Sequence, residues 1–261
     1  MLPNDDPDPA YEDLPYPSMT IQDTHPDHLA VMARFHDLVP RSPEKCRVLE
    51  LGCGNGSNLN WMASTLPASE FVGVDLSKVH IDEACETHSK LGIGNAEFYE
   101  QNVLEIDEQE FGEFDYIIAH GLFSWVPEDV REKILDLYGK LLAPNGVGYI
   151  SYNVLPGFYR RRLMRESMLF HIRDVAKPSE MVGKAKAFAQ FLSENTFGSP
   201  LYSVLLKSEF EGMAGRDESN IYHDDLFTFN NPYYFSDFIA SAGKMRTSVS
   251  FRSRKADFHA G

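Results

Sequence analysis

Between residues 46 and 153, apolar β-branched runs alternate with stretches of helical period, and this alternation constrains the fold more than any other feature. CRVLELG (46–52) is a short apolar run that stops at glycine and predicts a buried parallel strand. SNLNWMASTL (57–66) predicts a helix ending before Pro67. EFVGVDLS (70–77) predicts a second strand finishing on Asp75, with Ser77 placed to cap a helix over 78–91 that closes on Gly92. AEFYEQNV (96–103), FDYIIAH (114–120) and VGYISYN (147–153) predict three more strands, the last entered through an APNG turn. Pro127 opens a helix with Val130, Ile134, Leu137 and Leu141 on one face. Such alternation requires right-handed crossovers, and so predicts an α/β fold whose parallel sheet is covered on both faces. Ligands of such sheets bind beyond the carboxyl ends of the strands, which directs attention to residues 52–56, Asp75, Asn102, His120 and Asn153.

The flanks differ in texture. Residues 27–38 carry Leu29, Val31, Met32, Phe35 and Leu38 at the spacing of a short amphipathic helix. After residue 155 the alternation stops, and 158–175, 178–194 and 200–213 read as three helices. Residues 232–244 predict another helix, and 245–251 a late strand. The predicted organisation is an arm and helix over 1–45, a Rossmann-like core over 46–154, a helical insertion forming a cap over 155–230, and a closing helix and strand over 231–261.

Composition narrows the function. A net charge of −15 argues against nucleic acid as a partner. The local cluster Arg160, Arg161, Arg162 and Arg165 reads first as a solvated helix face and second as a surface for an anionic partner. No apolar run approaches the roughly 18 residues of a membrane span, and the acidic, proline-rich N-terminus is unlike a signal peptide. Cys46, Cys53 and Cys85 are odd in number and lack a CxxC spacing, which argues against a disulfide framework or a metal site and fits a cytoplasmic protein.

VLELGCGNG (48–56) carries the strongest chemical signal. Its glycines fall at 52, 54 and 56, a GxGxG turn that lets backbone approach a ligand closely; dinucleotide enzymes instead use GxGxxG. Glu50 precedes the turn within the strand, where it would repel a pyrophosphate but hold a cationic amino-acid head group. Asp75 ends the second strand, roughly 20 residues on, where a carboxylate accepts ribose hydroxyls. Together these features favour S-adenosyl-L-methionine over NAD.

ELGCGNG, VGVDLS and FDYIIAHGLFSWVP, with THPDHLA (24–30), SYNVLPGF (151–158), IYHDDL (221–226) and NPYYFSDF (231–238), resemble the Rossmann-like class I methyltransferases that carry a methyltransferase regulatory domain. Some bacterial relatives resemble protein lysine methyltransferases acting on outer-membrane proteins. The resemblance implies that Gly52, Cys53, Gly54 and Gly56 line the methionine part of the cofactor while Glu50 orders its amino group. It implies Asp75 on the ribose, Leu76 against the adenine, Asn102 and Val103 beside it, and His120 and Gly121 near the sulfonium. Many relatives have Asp where this chain has Asn102. It also implies a sixth strand and then a seventh, antiparallel one; the polar, basic closing residues predict instead that no antiparallel strand forms, which leaves the sheet incomplete, with an edge open to a partner subunit in a homodimer or to solvent.

Methyl transfer needs alignment and dryness more than dedicated side chains. Candidates for a catalytic role are His120 as a general base, Trp125 as the wall of a cation pocket or equally a hydrophobic lid, and Tyr152 and Asn153 as the floor of the acceptor site. For His120 a packed ring whose carbonyl supports the cofactor is the preferred reading, and for Cys53 a packed thiol. The predicted function is methyl transfer to a protein or small-molecule acceptor, a protein lysine among them. The alternative is a non-catalytic S-adenosylmethionine-binding regulatory protein.

Overall fold

The structure is a computed structural model that describes residues 14, 18–195 and 200–244. The predicted late strand over 245–251, and the expectation that no antiparallel strand follows it, lie outside the described residues.

Among the described residues, five parallel strands form the central sheet: β1 (Arg47–Leu51), β2 (Glu70–Asp75), β3 (Ala96–Glu100), β4 (Phe114–Ala119) and β5 (Leu142–Ile150), in the order β3-β2-β1-β4-β5. The chain crosses back to the middle after β3, so the switch point of a doubly wound sheet lies between β1 and β4. Helices α1 (Pro26–Arg34), α2 (Ser57–Thr65), α3 (Lys78–Leu91), the single turn α4 (Glu108–Phe111) and α5 (Glu128–Leu141) connect or flank the strands.

Side-chain alternation divides the strands between two cores. Leu49, Leu51, Val74, Ile117 and Ala119 pack with Ile134, Leu137 and Leu141 of α5. Val48, Phe71, Tyr116 and Ile118 pack with Leu29 of α1 and with Leu59, Met62 and Ala63 of α2. Glu50 shares the parity of Val48, so its carboxylate belongs to the α2 side.

The predicted helix over 27–38 is shorter than its apolar pattern: α1 ends at Arg34, and Phe35 is 76% exposed. The APNG turn is a loop-out within β5. Phe114 pairs with Leu142, Tyr116 next pairs with Val147, and Asn145 takes a left-handed φ of 65°.

After β5 come α6 (Tyr159–Ile172), α7 (Pro178–Glu194), α8 (Pro200–Ala214), α9 (Glu218–Ile221) and a π turn (Tyr222–Leu226), which share a core built on Met164, Met168, Val182, Ala185, Leu206 and Met213. A short parallel pair, β6 (Val154–Leu155) with β7 (Tyr233–Tyr234), brackets this helical unit and was not visible as strand in the sequence. The helix predicted over 232–244 begins only after β7, as α10 (Phe235–Gly243), and places Phe238 and Ala242 in the α5-side core.

The bracket is fastened to the loop after β4. Ser124 Oγ accepts from the Asn153 N–H at 2.8 Å, and its carbonyl accepts from the Asn231 N–H at 2.7 Å. The helical unit therefore joins the core at the carboxyl edge of the sheet. The arginine cluster does not present a free basic face. Arg160 pairs with Glu209, Arg161 with Asp225 at 2.6 Å, Arg162 with Glu166 at 2.6 Å, and Arg165 donates to the Phe227 carbonyl. Asp225 also holds Arg216 at 2.6 Å, so these charges lock the π turn to α6. No described helix is long and apolar enough to cross a membrane.

Candidate functional site

The glycine turn owes its shape to three left-handed residues, Gly52 (φ 70°), Gly54 (φ 53°) and Gly56 (φ 69°), a conformation that costs any residue with a Cβ. The N–H groups of Gly52 and Cys53 donate to the Val74 carbonyl at 2.8 and 3.1 Å. Asp75 completes the attachment: Oδ2 accepts from the Gly54 N–H at 2.8 Å and Oδ1 from the Ser77 N–H at 2.9 Å. Each carboxylate oxygen retains a second lone pair for a ligand hydroxyl. A Cβ on Gly54 would meet nothing within 4 Å, so this stretch of backbone faces open space.

A cavity of about 90 Å³ opens beside the turn, lined among others by Glu50, Gly52, Gly54, His80, His120 and Met19. That is room for an amino-acid head group and well below the roughly 300 Å³ of a pocket for a whole small molecule. Glu50 is 4% exposed there. Its Oε1 accepts from Asn58 Nδ2 at 2.7 Å, while Oε2 is buried with no hydrogen-bond partner among the described residues. Burial pushes the carboxyl up to about 7, with Asp75 adding to the rise and the Asn58 hydrogen bond opposing it. A lone buried carboxylate oxygen in a cavity wall is costly unless a cation meets it, which fits the ammonium of S-adenosylmethionine.

Of the predicted cofactor residues, Glu50, Gly52, Cys53, Gly54 and His120 line one cavity. Asp75 reaches it through Gly54, and Gly56 starts α2 just behind it. Leu76, Asn102, Val103 and Gly121 follow their strands along the same edge, outside the cavity lining. Asn102 Oδ1 caps the following turn by accepting from the Leu104 N–H at 3.0 Å. The Cys53 thiol is buried and pushed far up by its surroundings, as a packed thiol should be.

The catalytic candidates separate. The His120 ring stacks on Tyr149 at 5.9 Å with Nδ1 3.3 Å from the tyrosine hydroxyl, and burial lowers its pKa, which favours the neutral imidazole. Tyr152 stacks on Phe238 at 4.3 Å and packs against the α5-side core. Asn153 is engaged by Ser124, Asn230 and Tyr233. Tyr152, Asn153 and Trp125 stand outside the cavity lining. Asn58 and segment 18–25 join the site without having been expected from the sequence. Ser18 Oγ accepts from Asn55 at 2.7 Å, and Met19 and Ile21 form part of the cavity wall. A polar residue in the first turn of a helix carries no signal of its own, and neither does an irregular arm.

A family model described as "Methyltransferase domain" matches residues 49–147. An uncharacterized Rickettsia prowazekii protein, RP028, is 36% identical over 90% of this chain and 94% of its own length. A second, RP789, is 38% identical over 90% of this chain and 42% of its own. The solved structure of PKMT2 from Rickettsia typhi in complex with AdoHcy is 36% identical and superimposes with a TM-score of 0.80, covering 88% of this chain and 44% of that one. The chain thus spans less than half the length of RP789 and PKMT2.

Proposed function

The chain belongs to the class I S-adenosylmethionine-dependent methyltransferase family, and we propose that it binds S-adenosylmethionine at the carboxyl edge of its sheet and transfers the methyl group to an acceptor, with a protein lysine as the favoured class. The observation that carries this reading is Glu50, a buried carboxylate with one oxygen unpartnered among the described residues, set in the cavity beside a left-handed glycine turn. Likeness to PKMT2, whose structure holds AdoHcy, supports both the cofactor and the acceptor class.

Bound there, S-adenosylmethionine supplies a methyl group already activated on a sulfonium. Glu50 takes the amino group through Oε2, and Gly52, Gly54 and Gly56 let the backbone close on the methionine part. Asp75 holds the ribose hydroxyls through the lone pairs its backbone donors leave, Leu76 packs on the adenine, and Asn102 and Val103 flank it. His120 and Gly121 wall the sulfonium end. A lysine acceptor must shed a proton first. In the tautomer whose Nδ1–H donates to the Tyr149 hydroxyl, the His120 Nε2 is free to receive it. The remaining requirement is alignment in a dry site, a role this reading assigns to the helical unit joined to the same edge.

The decisive experiment is a tritiated-methyl transfer assay against host-cell lysate separated into protein and small-molecule fractions. Base-stable label in the protein fraction is expected. Stoichiometric cofactor binding without turnover on any fraction would favour the non-catalytic alternative.

Asp75 supplies the sharpest binding test. Asp75→Ala removes two charge-assisted contacts to the ribose and frees the Gly54 N–H from its acceptor. Affinity for S-adenosylhomocysteine should fall by roughly tenfold or more, about 1.4 kcal/mol per decade, and the melting temperature should drop with it. Unchanged affinity by calorimetry defeats the ribose assignment.

A further inference from the structure

Building on that cofactor assignment, we propose that Asn58 is a positioning residue that couples recognition of the cofactor's amino group to closure of segment 18–25 over the cavity.

Asn58 lies in the first turn of α2 and is 6% exposed. Its Nδ2 donates to Glu50 Oε1 at 2.7 Å and to Thr24 Oγ1 at 3.0 Å, and its Oδ1 accepts from the Ile21 N–H at 2.8 Å. The partners dictate the amide orientation. A backbone N–H only donates, so it must meet Oδ1; an ionised carboxylate only accepts, so it must meet Nδ2. The Thr24 hydroxyl, already accepting from Asn58, donates to the Ile21 carbonyl at 2.8 Å. One side-chain amide therefore reads the state of Glu50 on one side and the position of residues 21 and 24 on the other.

The consequence is a two-way coupling. By pinning Oε1, Asn58 leaves Oε2, in a residue that lines the cavity, as the oxygen without a partner among the described residues. An ammonium at Oε2 favours the ionised carboxylate, and a charged acceptor strengthens the Asn58–Glu50 hydrogen bond. The strengthened bond holds Oδ1 against the Ile21 N–H, and with it the wall formed by Met19 and Ile21. By reciprocity, a closed segment favours ligands that carry the amino group. A ligand that fills only the nucleoside edge has no access to this linkage.

The test compares two ligands on the whole protein. S-adenosylhomocysteine carries the amino-acid moiety, and 5′-methylthioadenosine lacks it. Wild type, Asn58→Ala and Asn58→Ser are titrated with each by calorimetry, with circular dichroism checking the fold. Both variants should lose roughly tenfold or more in affinity for S-adenosylhomocysteine while 5′-methylthioadenosine affinity stays within about threefold. In wild type, hydrogen exchange at the Ile21 amide should slow markedly more with saturating S-adenosylhomocysteine than with saturating 5′-methylthioadenosine. Parallel loss of both ligands, or loss of neither, overturns the proposal, because a merely structural asparagine affects the two alike. Equal protection of Ile21 by the two ligands overturns it as well, and this measurement decides alone if the variants do not fold. Wild type that binds neither ligand refutes the cofactor assignment and this inference with it; wild type that binds both, with variants unchanged, refutes the coupling only.

Discussion

Gly56→Ala should destabilise the protein by roughly 3 kcal/mol or more, while Gly54→Ala costs about 1 kcal/mol, although both glycines occupy the same turn and both have a positive φ. The strain of a left-handed residue is common to the two. They differ in what the new methyl meets. A Cβ on Gly56 would sit 2.6 Å from the Ala84 Cβ and 2.7 Å from the Phe98 ring, and Ala84 cannot yield unless α3 moves. A Cβ on Gly54 would enter open space. Chemical denaturation of both variants gives the comparison directly. Similar midpoints for the two would mean that the turn's left-handed conformation, not the close packing of α2 and α3 behind it, sets the glycine requirement at 56.

Glu50→Gln should act in opposite directions on stability and on binding. Burial raises the folded-state pKa of Glu50 from the ordinary 4.5 to about 7. A carboxyl so raised contributes stability that is fully present below its unfolded pKa and lost as pH climbs through 7. At about 1.4 kcal/mol per pH unit, the displacement amounts to about 3 kcal/mol above pH 8. Glutamine never ionises, but it leaves part of its amide unpaired at a cost of about 1 kcal/mol. The ligand-free variant should therefore be about 2 kcal/mol more stable than wild type at pH 8.5 and no more stable at pH 4.5. Its affinity for S-adenosylhomocysteine should fall roughly 30- to 100-fold, for want of the charged partner at Oε2. Wild-type affinity should rise with pH up to about 7 and then level off, since binding requires the ionised carboxylate; the variant's profile should be flat over that range. Urea denaturation at the two pH values and calorimetry across the range check each part. A variant less stable than wild type at pH 8.5, with undiminished affinity, would falsify the role given to this carboxylate.

How far the sequence carries depends on whether a feature is local. The five strands, the α3 cap at Ser77 and the left-handed glycines are legible because each follows from periodicity or from the backbone needs of a few adjacent residues. Glu50 and Asp75 stand out because a carboxylate at the end of a buried strand has few structural uses. Asn102 and His120 could be placed on the correct edge but not given an orientation, since a loop side chain points where its neighbours allow. The arginine cluster shows the limit of charge reading. Four basic residues on one helix are indistinguishable in sequence from a solvated or anion-binding face; Arg160 and Arg162 do stay partly solvated beside Glu209 and Glu166, whereas Arg161 and Arg165 are turned against Asp225 and the Phe227 carbonyl.

What the sequence by itself determined is therefore the architecture and the chemistry of its ligand-binding edge: a parallel α/β sheet with a GxGxG turn, a buried glutamate and a strand-terminal aspartate. These are written in short-range patterns that hydrophobic burial and backbone sterics enforce whatever surrounds them. Only the tertiary structure decided which partners complete the edge. Asn58 joins Glu50 to Thr24 and Ile21 across 34 and 37 positions of chain, and residues 154–155 pair with 233–234 in strands too short to have a period. Hydrogen bonds between distant residues depend on the fold that brings them together, and no local preference in either segment announces them.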